Sequence, residues 1–482
     1  MGLKAIIVGG SVSGLSLAIM LEELGVDYVL LEAHEQFAPQ LGASIGLLPN
    51  GLRILDQLGC YEAIRKRAGN FYNYTNLRDS SGRALAAPKT VSVAARLEER
   101  TGYPLIFFDR QHVLQILHDR VRHKERLLTG KRVTTVEMHG EGVKVHTKDG
   151  SVYTGDFLVG ADGVHSMVRK EMWRLGNEMS PGVFSPNEGS KLKSSTKCMF
   201  GISSRPPTFA YQSQDITFQT GYSYMTMSAP DDRMYWFMFV TMPTTYGKDI
   251  PRYTKEDEAE FAKQFFNDKI TETVKFGDLY KNRHVTALVS LEEHVFEKWH
   301  FQRIITIGDA AQKLHPITAS GGNNAIEAAA SLVNGLSRRI KAAGSTNLSQ
   351  EALESAFAEV HARCYDRSLS QMKQGEAVQY YSTLQGPLAG FILRYVVPLF
   401  GDYFSLKTFQ EISAGGTHIE GMALPERLPL DGKRVAKTVG FGWALWSLGA
   451  VGSGIVAIVC LGQGNADWRG RLAGFASQMK LY

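Results

Sequence analysis

Residues 4–15 read KAIIVGGSVSGL, and residues 28–32 close the same segment with YVLLE. The first apolar run is typical of a buried strand, and a helical pattern follows the glycines. A glycine-rich turn at this point lets the backbone approach a phosphate at the helix N-terminus. Glu32 ends the second apolar run, where a carboxylate can accept hydrogen bonds from a ribose. The segment therefore predicts a dinucleotide-binding βαβ unit whose cofactor-binding residues include Gly9, Gly14 and Glu32.

The glycine pattern alone is a weak signal, because Ser11 stands where the middle glycine of the usual motif approaches the pyrophosphate. Its context is stronger. A strand precedes the pattern, a helix follows it, and an acidic residue closes the second strand within about 30 residues. The alternative is a glycine-rich turn in an ordinary α/β domain, and the context favours the dinucleotide site.

The composition fits a globular protein of two or three structural units, since the chain has 482 residues, 44% hydrophobic and 21% charged. The formal net charge of +5 is spread without long basic blocks, so nucleic-acid binding is not indicated. Four cysteines, at positions 60, 198, 364 and 460, lack metal-type spacing and favour a reducing compartment over a disulfide framework. No signal peptide is expected, because the first strand begins almost at once.

The C-terminal part of the chain contains a long apolar stretch. Residues 439–461 carry no charge, and Trp443 and Trp446 lie near one end, as interfacial anchors would. Such a stretch is long enough to span about 30 Å of hydrocarbon as a helix. It predicts a transmembrane helix, and a buried core helix is the alternative. Basic residues flank both sides, so no orientation follows from them.

Two segments in the first half place polar residues beside predicted elements. Residues 157–169 read FLVGADGVHSMVR, an apolar strand that ends before a helix. Asp162 in this loop can position a ribose or pyrophosphate, and the alternative is a helix N-cap beside a turn glycine. Arg110 lies in the first turn of a helix with Asp109 as its expected N-cap, where a cation opposes the helix dipole. Arg110 therefore has an anionic or carbonyl partner, or it is a solvated surface arginine.

Residues 196–240 predict a sheet that differs in kind from the first unit. Residues 215–227 alternate with period two, and residues 234–240 read MYWFMFV, a dense aromatic strand. The methionine and aromatic content suggests a substrate-binding sheet for a large apolar ligand. For any single residue, the alternative is structural core.

A third segment repeats the pattern of a strand followed by a loop. Residues 304–311 read IITIGDAA, and residues 315–327 read HPITASGGNNAIE before a helix that runs to about Ile340. The N-terminus of that helix can stabilise negative charge, such as that of a reduced flavin. His315 is a candidate base, and a structural histidine is the alternative.

Together these segments resemble the class A FAD-dependent monooxygenases, which have the para-hydroxybenzoate hydroxylase fold. The three motifs of that family match residues 9–14 with Glu32, residues 160–169 and residues 308–316. More narrowly, residues 42–51 and 109–111 resemble the fungal enzymes of indole-diterpene and meroterpenoid pathways, which include paxilline-pathway-type epoxidases. The resemblance covers roughly residues 4–340.

The resemblance implies an α/β fold, with a Rossmann-like FAD-binding domain, an inserted mixed-sheet substrate domain, C-terminal helices and a hydrophobic tail. The second motif, with Asp162, serves both FAD and NAD(P)H in that family. Carried over by position, the flavin contacts are Glu32, Gly46, Arg110, Asp309 and Gly322.

The resemblance also divides the chain into expected units. These are an FAD-binding domain with meander strands (1–180), a substrate-binding sheet domain (181–300), the third motif with its helix (301–345), a C-terminal helical region and linker (346–438), and the transmembrane helix (439–461).

Three departures from the family pattern stand out. The family's Gly-Gln-Gly before the last helix is Ala-Ser-Gly here, at residues 319–321, and the extra Cβ atoms restrict the backbone. An acidic residue of the family is Ala328. Some relatives have an active tyrosine on the substrate sheet, where this chain has Gln219, with Tyr222 and Tyr224 nearby. No catalytic side chain and no metal ligand is assigned.

The resemblance implies that NAD(P)H reduces FAD, that O2 forms a C4a-hydroperoxyflavin, and that its distal oxygen goes to a hydrophobic small-molecule substrate. Epoxidising an electron-rich alkene needs no protein base, whereas hydroxylating a phenol does. We therefore expect epoxidation of a prenylated or terpenoid secondary metabolite. The alternatives are aromatic or indole hydroxylation, a non-oxygenating flavin reductase, or a tail-anchored binding protein. The tail predicts a single-pass anchor in a membrane, expected to be the endoplasmic reticulum, with the catalytic domain facing the cytosol.

Overall fold

A computed structural model of the chain describes residues 2–39, 44–69, 74–85 and 93–427. The strands, in chain order, are Lys4–Val8 (β1), Asp27–Leu31 (β2), Ser44–Leu47 (β3), Tyr74–Arg78 (β4), Ile106–Asp109 (β5), Leu127–Leu128 (β6), Val133–His139 (β7), Gly142–Thr147 (β8), Val152–Gly155 (β9), Phe157–Gly160 (β10), Lys193–Ser204 (β11), Ser213–Gln219 (β12), Tyr222–Ala229 (β13), Arg233–Tyr246 (β14), Arg283–Ser290 (β15), His294–Val295 (β16), His300–Phe301 (β17), Ile304–Thr306 (β18) and Gln312–Lys313 (β19).

The α-helices are Val12–Leu24 (α1), Pro49–Gln57 (α2), Tyr61–Ala68 (α3), Val93–Thr101 (α4), Arg110–Arg120 (α5), Met167–Met179 (α6), Lys255–Lys263 (α7), Phe276–Lys281 (α8), Ser320–Ala343 (α9), Gln350–Ser382 (α10), Pro387–Tyr395 (α11) and Val397–Ala414 (α12). Short 3₁₀ turns lie at Lys124–Arg126, Glu188–Lys191, Gly247–Asp249, Gly308–Ala310 and Pro316–Thr318.

A six-stranded sheet has the order β17-β18-β10-β1-β2-β6, and it is parallel except for β17. The central strands are continuous apolar runs, as strands buried on both faces require. Strands β1, β10 and β18 precede the three motifs found in the sequence, and they lie side by side. The carboxyl ends of parallel strands meet at one edge of a sheet. Three segments that are far apart in the chain therefore converge on that edge.

A second six-stranded sheet has the order β15-β11-β14-β13-β12-β4. Its pairs are antiparallel except β12 with β4, so the sheet is mixed. The aromatic strand β14 is central, and side chains alternate between the two faces of a strand. Phe237 and Phe239 belong to the core on one face, whereas Trp236 and Met238 belong to the core on the other. The edge strand β4 comes from the N-terminal part of the chain, well before the expected start of the sheet domain at residue 181.

Smaller elements complete the body. Strands β7, β8 and β9 form an antiparallel meander, and β3 pairs antiparallel with β5. Helix α1 packs against α9, and α10 lies along α9. Helix α12 packs on α4, and its Leu406 and Ile412 join the apolar core of the mixed sheet. The C-terminal helices therefore cover the side of the mixed sheet that carries Phe237.

The predicted membrane anchor is corrected. Within the residues that the structure describes, no helix has both the length and the apolar character needed to cross a bilayer. The long helices α9 and α10 carry charged side chains such as Arg338, Glu359 and Arg367. The predicted transmembrane segment and hydrophobic tail, residues 439–461, lie outside the described residues. The predictions of a transmembrane helix, a membrane partner and an endoplasmic-reticulum location are therefore withdrawn.

Candidate active site

A cavity of about 680 Å³ lies between the carboxyl edge of the parallel sheet and one face of the mixed sheet. It is lined by all but one of the residues that the sequence predicts as cofactor contacts: Gly9, Glu32, Gly46, Arg110, Asp162, Asp309 and Gly322. The exception, Gly14, lies beneath the first turn, where an added Cβ would overlap the carbonyl oxygen of Gly9. The fold thus brings together residues that are spread over more than 300 positions.

The first turn depends on glycine at two places. Gly9 has a φ of 107°, which L-residues with a side chain rarely adopt, and an added Cβ would overlap the carbonyl of Ala161. Gly14 faces the Gly9 carbonyl from the first turn of α1. These close approaches hold β1, α1 and the loop after β10 together, so the turn presents its backbone to the cavity.

Glu32 is bound to the same turn. Its Oε2 accepts from the Gly10 backbone N–H at 2.6 Å, and its Oε1 accepts from the His34 N–H at 2.8 Å. The His34 ring Nδ1 lies 2.6 Å from Oε1. Since each carboxylate oxygen can accept more than one hydrogen bond, capacity remains for a ligand hydroxyl. The contact of Glu32 with a ribose stays a prediction.

Arg110 has a partner inside the cavity wall. Its Nη2 donates to the Ser11 hydroxyl at 2.5 Å, so the alternative of a solvated surface arginine is wrong. Burial lowers the pKa of Arg110 from its ordinary value, and the nearby Asp309 and Glu32 carboxylates oppose that shift. Ser11, which replaces the usual glycine, therefore holds a cation at the N-terminus of α1.

Two helices point uncapped N-termini at the cavity. The N-cap residues Ser11 of α1 and Ala319 of α9 make no side-chain capping hydrogen bond. Val12 and Ser13 from α1, and Gly321 and Gly322 from α9, line the cavity. Free N–H groups and the positive ends of the helix dipoles favour anions at both places.

Asp162 lines the cavity, and its carboxylate is hydrogen-bonded to the start of helix α6. It accepts from the Ser166 hydroxyl at 2.5 Å and from the Met167 and Val168 N–H groups at 2.7 and 3.1 Å. Burial raises the pKa of Asp162, and these hydrogen bonds oppose the shift. The side chain stabilises the start of α6, although the N-cap itself is Ser166. The contact of Asp162 with a cofactor stays a prediction.

Asp309 forms an ion pair that sequence reasoning missed. Lys313 Nζ lies 2.5 Å from Asp309 Oδ2, and both residues line the cavity. Lys313 is on the short strand β19, four residues after Asp309, so its proximity to the third motif was a usable signal. A cation and a carboxylate therefore stand together beside the N-terminus of α9.

Ala319 occupies the position where the family has glycine, and its backbone is left-handed with a φ of 55°. Such a conformation strains a residue with a Cβ. The Asn323 Nδ2 group donates to the carbonyls of Ala319 and Gly46 at 2.7 and 3.0 Å, and its Oδ1 accepts from the Leu48 N–H at 3.0 Å. A Cβ on Gly46 would lie 2.6 Å from the Ala319 Cβ. Asn323, which the sequence did not single out, thus ties the loop before α9 to strand β3.

The far end of the cavity is apolar. The Phe107 ring meets the Phe237 ring edge-on with centroids 6.1 Å apart, and Phe237 and Phe239 are parallel at 5.9 Å. Met225 from β13 completes this wall. The period-two pattern indicated such a sheet in general, but it did not mark which aromatic side chains face the cavity.

The histidine and the tyrosines of the sequence analysis have structural partners. Tyr222 and Tyr224 lie on the opposite face of the mixed sheet from Met225, where both hydroxyls donate to Asp268 Oδ2 at 2.8 Å. His315 is buried, its Nδ1 accepts from the Ile317 N–H at 3.2 Å, and its ring contacts Phe239. Burial lowers the pKa of His315 to about 3, so it is neutral.

Comparison with known proteins decides the family. The model of an FAD binding domain matches residues 3–363. The chain belongs to this family. The FAD-dependent monooxygenase spyC of Aspergillus fumigatus is 37% identical over 429 residues, covering 88% of this chain and 89% of that protein. The FAD-dependent monooxygenase penE of Penicillium thymicola is 35% identical over 425 residues, covering 88% of each chain.

Solved structures show the same fold. Klebsiella pneumoniae HpxO complexed with FAD and uric acid superposes with a TM-score of 0.69 at 22% sequence identity, covering 86% of this chain and 97% of that one. The family match and the curated relatives identify an FAD-dependent monooxygenase. The α/β FAD-binding fold expected from the sequence is therefore confirmed, apart from the hydrophobic tail.

The residues of the cavity fit FAD. A glycine turn that admits no Cβ, the Arg110 cation and the uncapped α1 helix offer donors and positive charge for a pyrophosphate. The second uncapped helix, α9, offers the same to a flavin ring. The apolar wall of Phe107, Met225, Phe237 and Phe239 lines the same cavity.

Proposed function

We propose that this FAD-dependent monooxygenase uses NAD(P)H and O2 to epoxidise an alkene in a prenylated or terpenoid secondary metabolite. The observation that carries the proposal is the apolar end of the cavity. Six apolar side chains of the cavity lining form this substrate chamber: Ile45, Phe107, Met225, Phe237, Phe239 and Leu314. The charged pair of Asp309 and Lys313 lines the same cavity beside α9.

This composition bears on the type of reaction. Hydroxylation of a phenol is assisted by a base within hydrogen-bond reach of the phenolic proton. Tyr222 and Tyr224 are on the opposite sheet face, where they donate to Asp268. The Nδ1 lone pair of His315 is occupied by the Ile317 N–H, so Nε2 carries the ring proton, and burial lowers the pKa of His315 to about 3, which makes it a weak base. Oxygen transfer to an alkene removes no proton from the substrate. The chamber therefore favours epoxidation over phenol hydroxylation.

Each group of residues then has a role. When bound, FAD supplies the reduction and oxygen-activation chemistry. Arg110 and the turn at Gly9 hold its anionic part, supported by Gly14 below the turn, and Glu32 accepts from the ribose. Asp309, Gly46 and Gly322 hold the flavin portion, and Asp162 supports the loop beside it. The aromatic wall binds the hydrocarbon chain and excludes water from the reacting atoms.

The test uses the purified holoenzyme with a farnesylated indole and a farnesylated phenol as probes, under ¹⁸O₂. We expect a product that is heavier by one ¹⁸O atom on the farnesyl chain, formed only with NADPH or NADH present. Tandem mass spectrometry locates the label on the chain or on the ring.

A matched probe with a saturated farnesyl chain keeps the ring and removes every alkene. Epoxidation predicts that this probe gives no labelled product. Label on the aromatic ring of the saturated probe would replace the proposal with aromatic or indole hydroxylation. A reduced chain without label would replace it with flavin-dependent reduction.

A further inference from the structure

Asp109 lies between the two functional ends of the cavity. It ends strand β5, two residues after Phe107 of the apolar wall, and it directly precedes Arg110, which lines the polar end. The sequence predicted an N-cap for helix α5 here. Asp109 occupies that position, but its side chain makes no capping hydrogen bond. The carboxylate is engaged elsewhere.

Its partners come from the start of the central strand of the mixed sheet. Arg233 Nη2 lies 2.8 Å from Asp109 Oδ2 and Nη1 lies 3.3 Å from Oδ1, a two-pronged pair. The Tyr235 hydroxyl donates to Oδ2 at 3.1 Å. Burial and the adjacent carboxylate raise the pKa of Tyr235, so its hydroxyl stays protonated as a donor. Both partners belong to β14.

A histidine completes the cluster. His112 Nδ1 lies 3.2 Å from Asp109 Oδ2, and its Nε2 lies 2.8 Å from Arg67 Nη2. Because a guanidinium has no acceptor, Nε2 accepts from Arg67, and Nδ1 carries the ring proton on the side that faces Asp109. Burial lowers the pKa of His112, which favours this neutral form, although Asp109 opposes the shift. The Asp109 carboxylate therefore accepts three hydrogen bonds, two from Arg233 and one from Tyr235, and lies close to the His112 ring.

Strand β14 connects the Asp109 cluster with the aromatic wall of the cavity. Arg233, Tyr235, Phe237 and Phe239 alternate along one strand, so they share one face. The first two bind Asp109, and the last two line the cavity. Asp109 thus links strand β14, which carries the apolar wall, to Arg110, whose guanidinium lines the polar end of the cavity.

We propose that Asp109 is a positioning residue that fixes the aromatic wall of the substrate chamber relative to the cofactor-facing strand pair β3–β5 and Arg110. This proposal rests on the proposed function, because it assigns the chamber to the substrate. A misplacement of about 1 Å near the reacting atoms can cost about 100-fold in rate. Loss of the cluster lets reduced cofactor react with O2 while the substrate is out of place, so hydrogen peroxide replaces oxygenated product.

The experiment compares Asp109→Asn with Tyr235→Phe, which removes one hydroxyl and keeps the ring. The control is Asp215→Asn, which disrupts the buried pair of Asp215 with Arg78 that joins β4 to β12 at the edge of the same sheet. Two quantities are measured on each holoenzyme: the visible circular dichroism of bound FAD, and the ratio of ¹⁸O-labelled farnesyl-indole product to hydrogen peroxide.

For Asp109→Asn we expect an altered FAD dichroism and a product-to-peroxide ratio lowered by about tenfold or more. For Tyr235→Phe we expect smaller changes in the same direction, and this variant decides the matter if Asp109→Asn does not fold. Asp215→Asn lowers the melting temperature and leaves both quantities at the wild-type value. Wild-type dichroism and ratio in the folded Asp109 or Tyr235 variant would overturn the proposal.

The outcomes separate this proposal from the proposed function. If the wild-type enzyme gives no labelled product from the farnesyl probes, the epoxidation proposal fails. The dichroism of bound FAD, which needs no substrate, then decides the role of Asp109 alone. If the dichroism band of bound FAD is unchanged in both Asp109→Asn and Tyr235→Phe, the ion pair of Asp109 with Arg233 has only a structural role.

Discussion

The polar and apolar ends of the cavity are built by different means. At the polar end, backbone fixes the shape: Gly9 and Gly14 stand where no Cβ fits, and Arg110 is hydrogen-bonded to Ser11. At the apolar end, side chains fix the shape, because the rings of Phe107, Phe237 and Phe239 pack against one another. The first construction admits no side chain at Gly9 or Gly14. The second can change volume while the sheet beneath it persists, so one cofactor site can serve different substrates.

The strongest test of this difference is Gly14→Ala. The added Cβ would overlap the Gly9 carbonyl in the first turn of α1, so we expect a loss of about 4 kcal/mol or more in the free energy of unfolding, with no FAD retained. The measurement is the yield of yellow protein and its melting temperature. The control is Gly321→Ala, where the nearest atom to a new Cβ is Asp309 Oδ1 at 4.0 Å. If Gly14→Ala and Gly321→Ala gave the same yield of yellow protein and the same melting temperature, the close backbone contact at Gly14 would not determine the shape of the polar end.

Arg110→Met tests the charge at the same end. A hydrogen bond to a charged group is worth about 2 kcal/mol, so FAD should bind roughly 30-fold more weakly while the apolar wall keeps its structure. Titration of FAD-depleted protein with FAD, followed by fluorescence, measures the dissociation constant. Arg83→Met is the matched control, since Arg83 is exposed at the turn after β4. An unchanged dissociation constant for Arg110→Met would remove this arginine from the cofactor site.

The same contrast explains how much could be predicted from the sequence. A glycine-rich turn is visible in the local sequence, so Gly9 and Gly14 could be predicted from the residues around them, whereas Gly46 was carried over from the family resemblance. The convergence of the three motifs at one sheet edge appears only in the fold. Packing leaves only a periodic pattern, so the aromatic strand was recognised while Phe237 and Phe239 were not singled out. Contacts between residues that are far apart in the chain cannot be recognised from the local sequence of either partner. Nothing near Asp109 in the chain indicates Arg233, and nothing near Gly46 indicates Asn323, because these contacts exist only once distant segments have packed.

His315 joins the two ends, so acid should disturb both together. Its ring contacts Phe239, and its Nδ1 accepts from Ile317 in the loop before α9. Burial lowers its pKa from 6.5 to about 3. Between these two pKa values His315 is protonated in the unfolded chain and neutral in the folded protein. The free energy of unfolding therefore falls as the pH drops below about 6.5, by about 2 kcal/mol at pH 5.

Unfolding by urea at pH 7 and pH 5 measures this loss. His315→Asn can still accept from Ile317, and we expect it to lose less stability between the two pH values than the wild type. The exposed His139→Asn is the control and should keep the wild-type pH dependence. A wild-type pH dependence in His315→Asn would assign the acid sensitivity to other groups.

Phe237→Leu should have the smallest effect on stability and separates the two ends most cleanly. A hydrophobic exchange of this kind costs about 1 kcal/mol, and the FAD dissociation constant should stay at the wild-type value because no cofactor contact is lost. The chamber, in contrast, loses the ring that touches Phe107, Phe200 and Phe239, so the KM for a farnesylated probe should change. Phe218→Leu, buried on β12 in a different cluster, is the matched control and should leave that KM unchanged. If Phe237→Leu instead weakened FAD binding as much as Arg110→Met, the two ends would act as one site, and substrate choice could not vary independently of the cofactor.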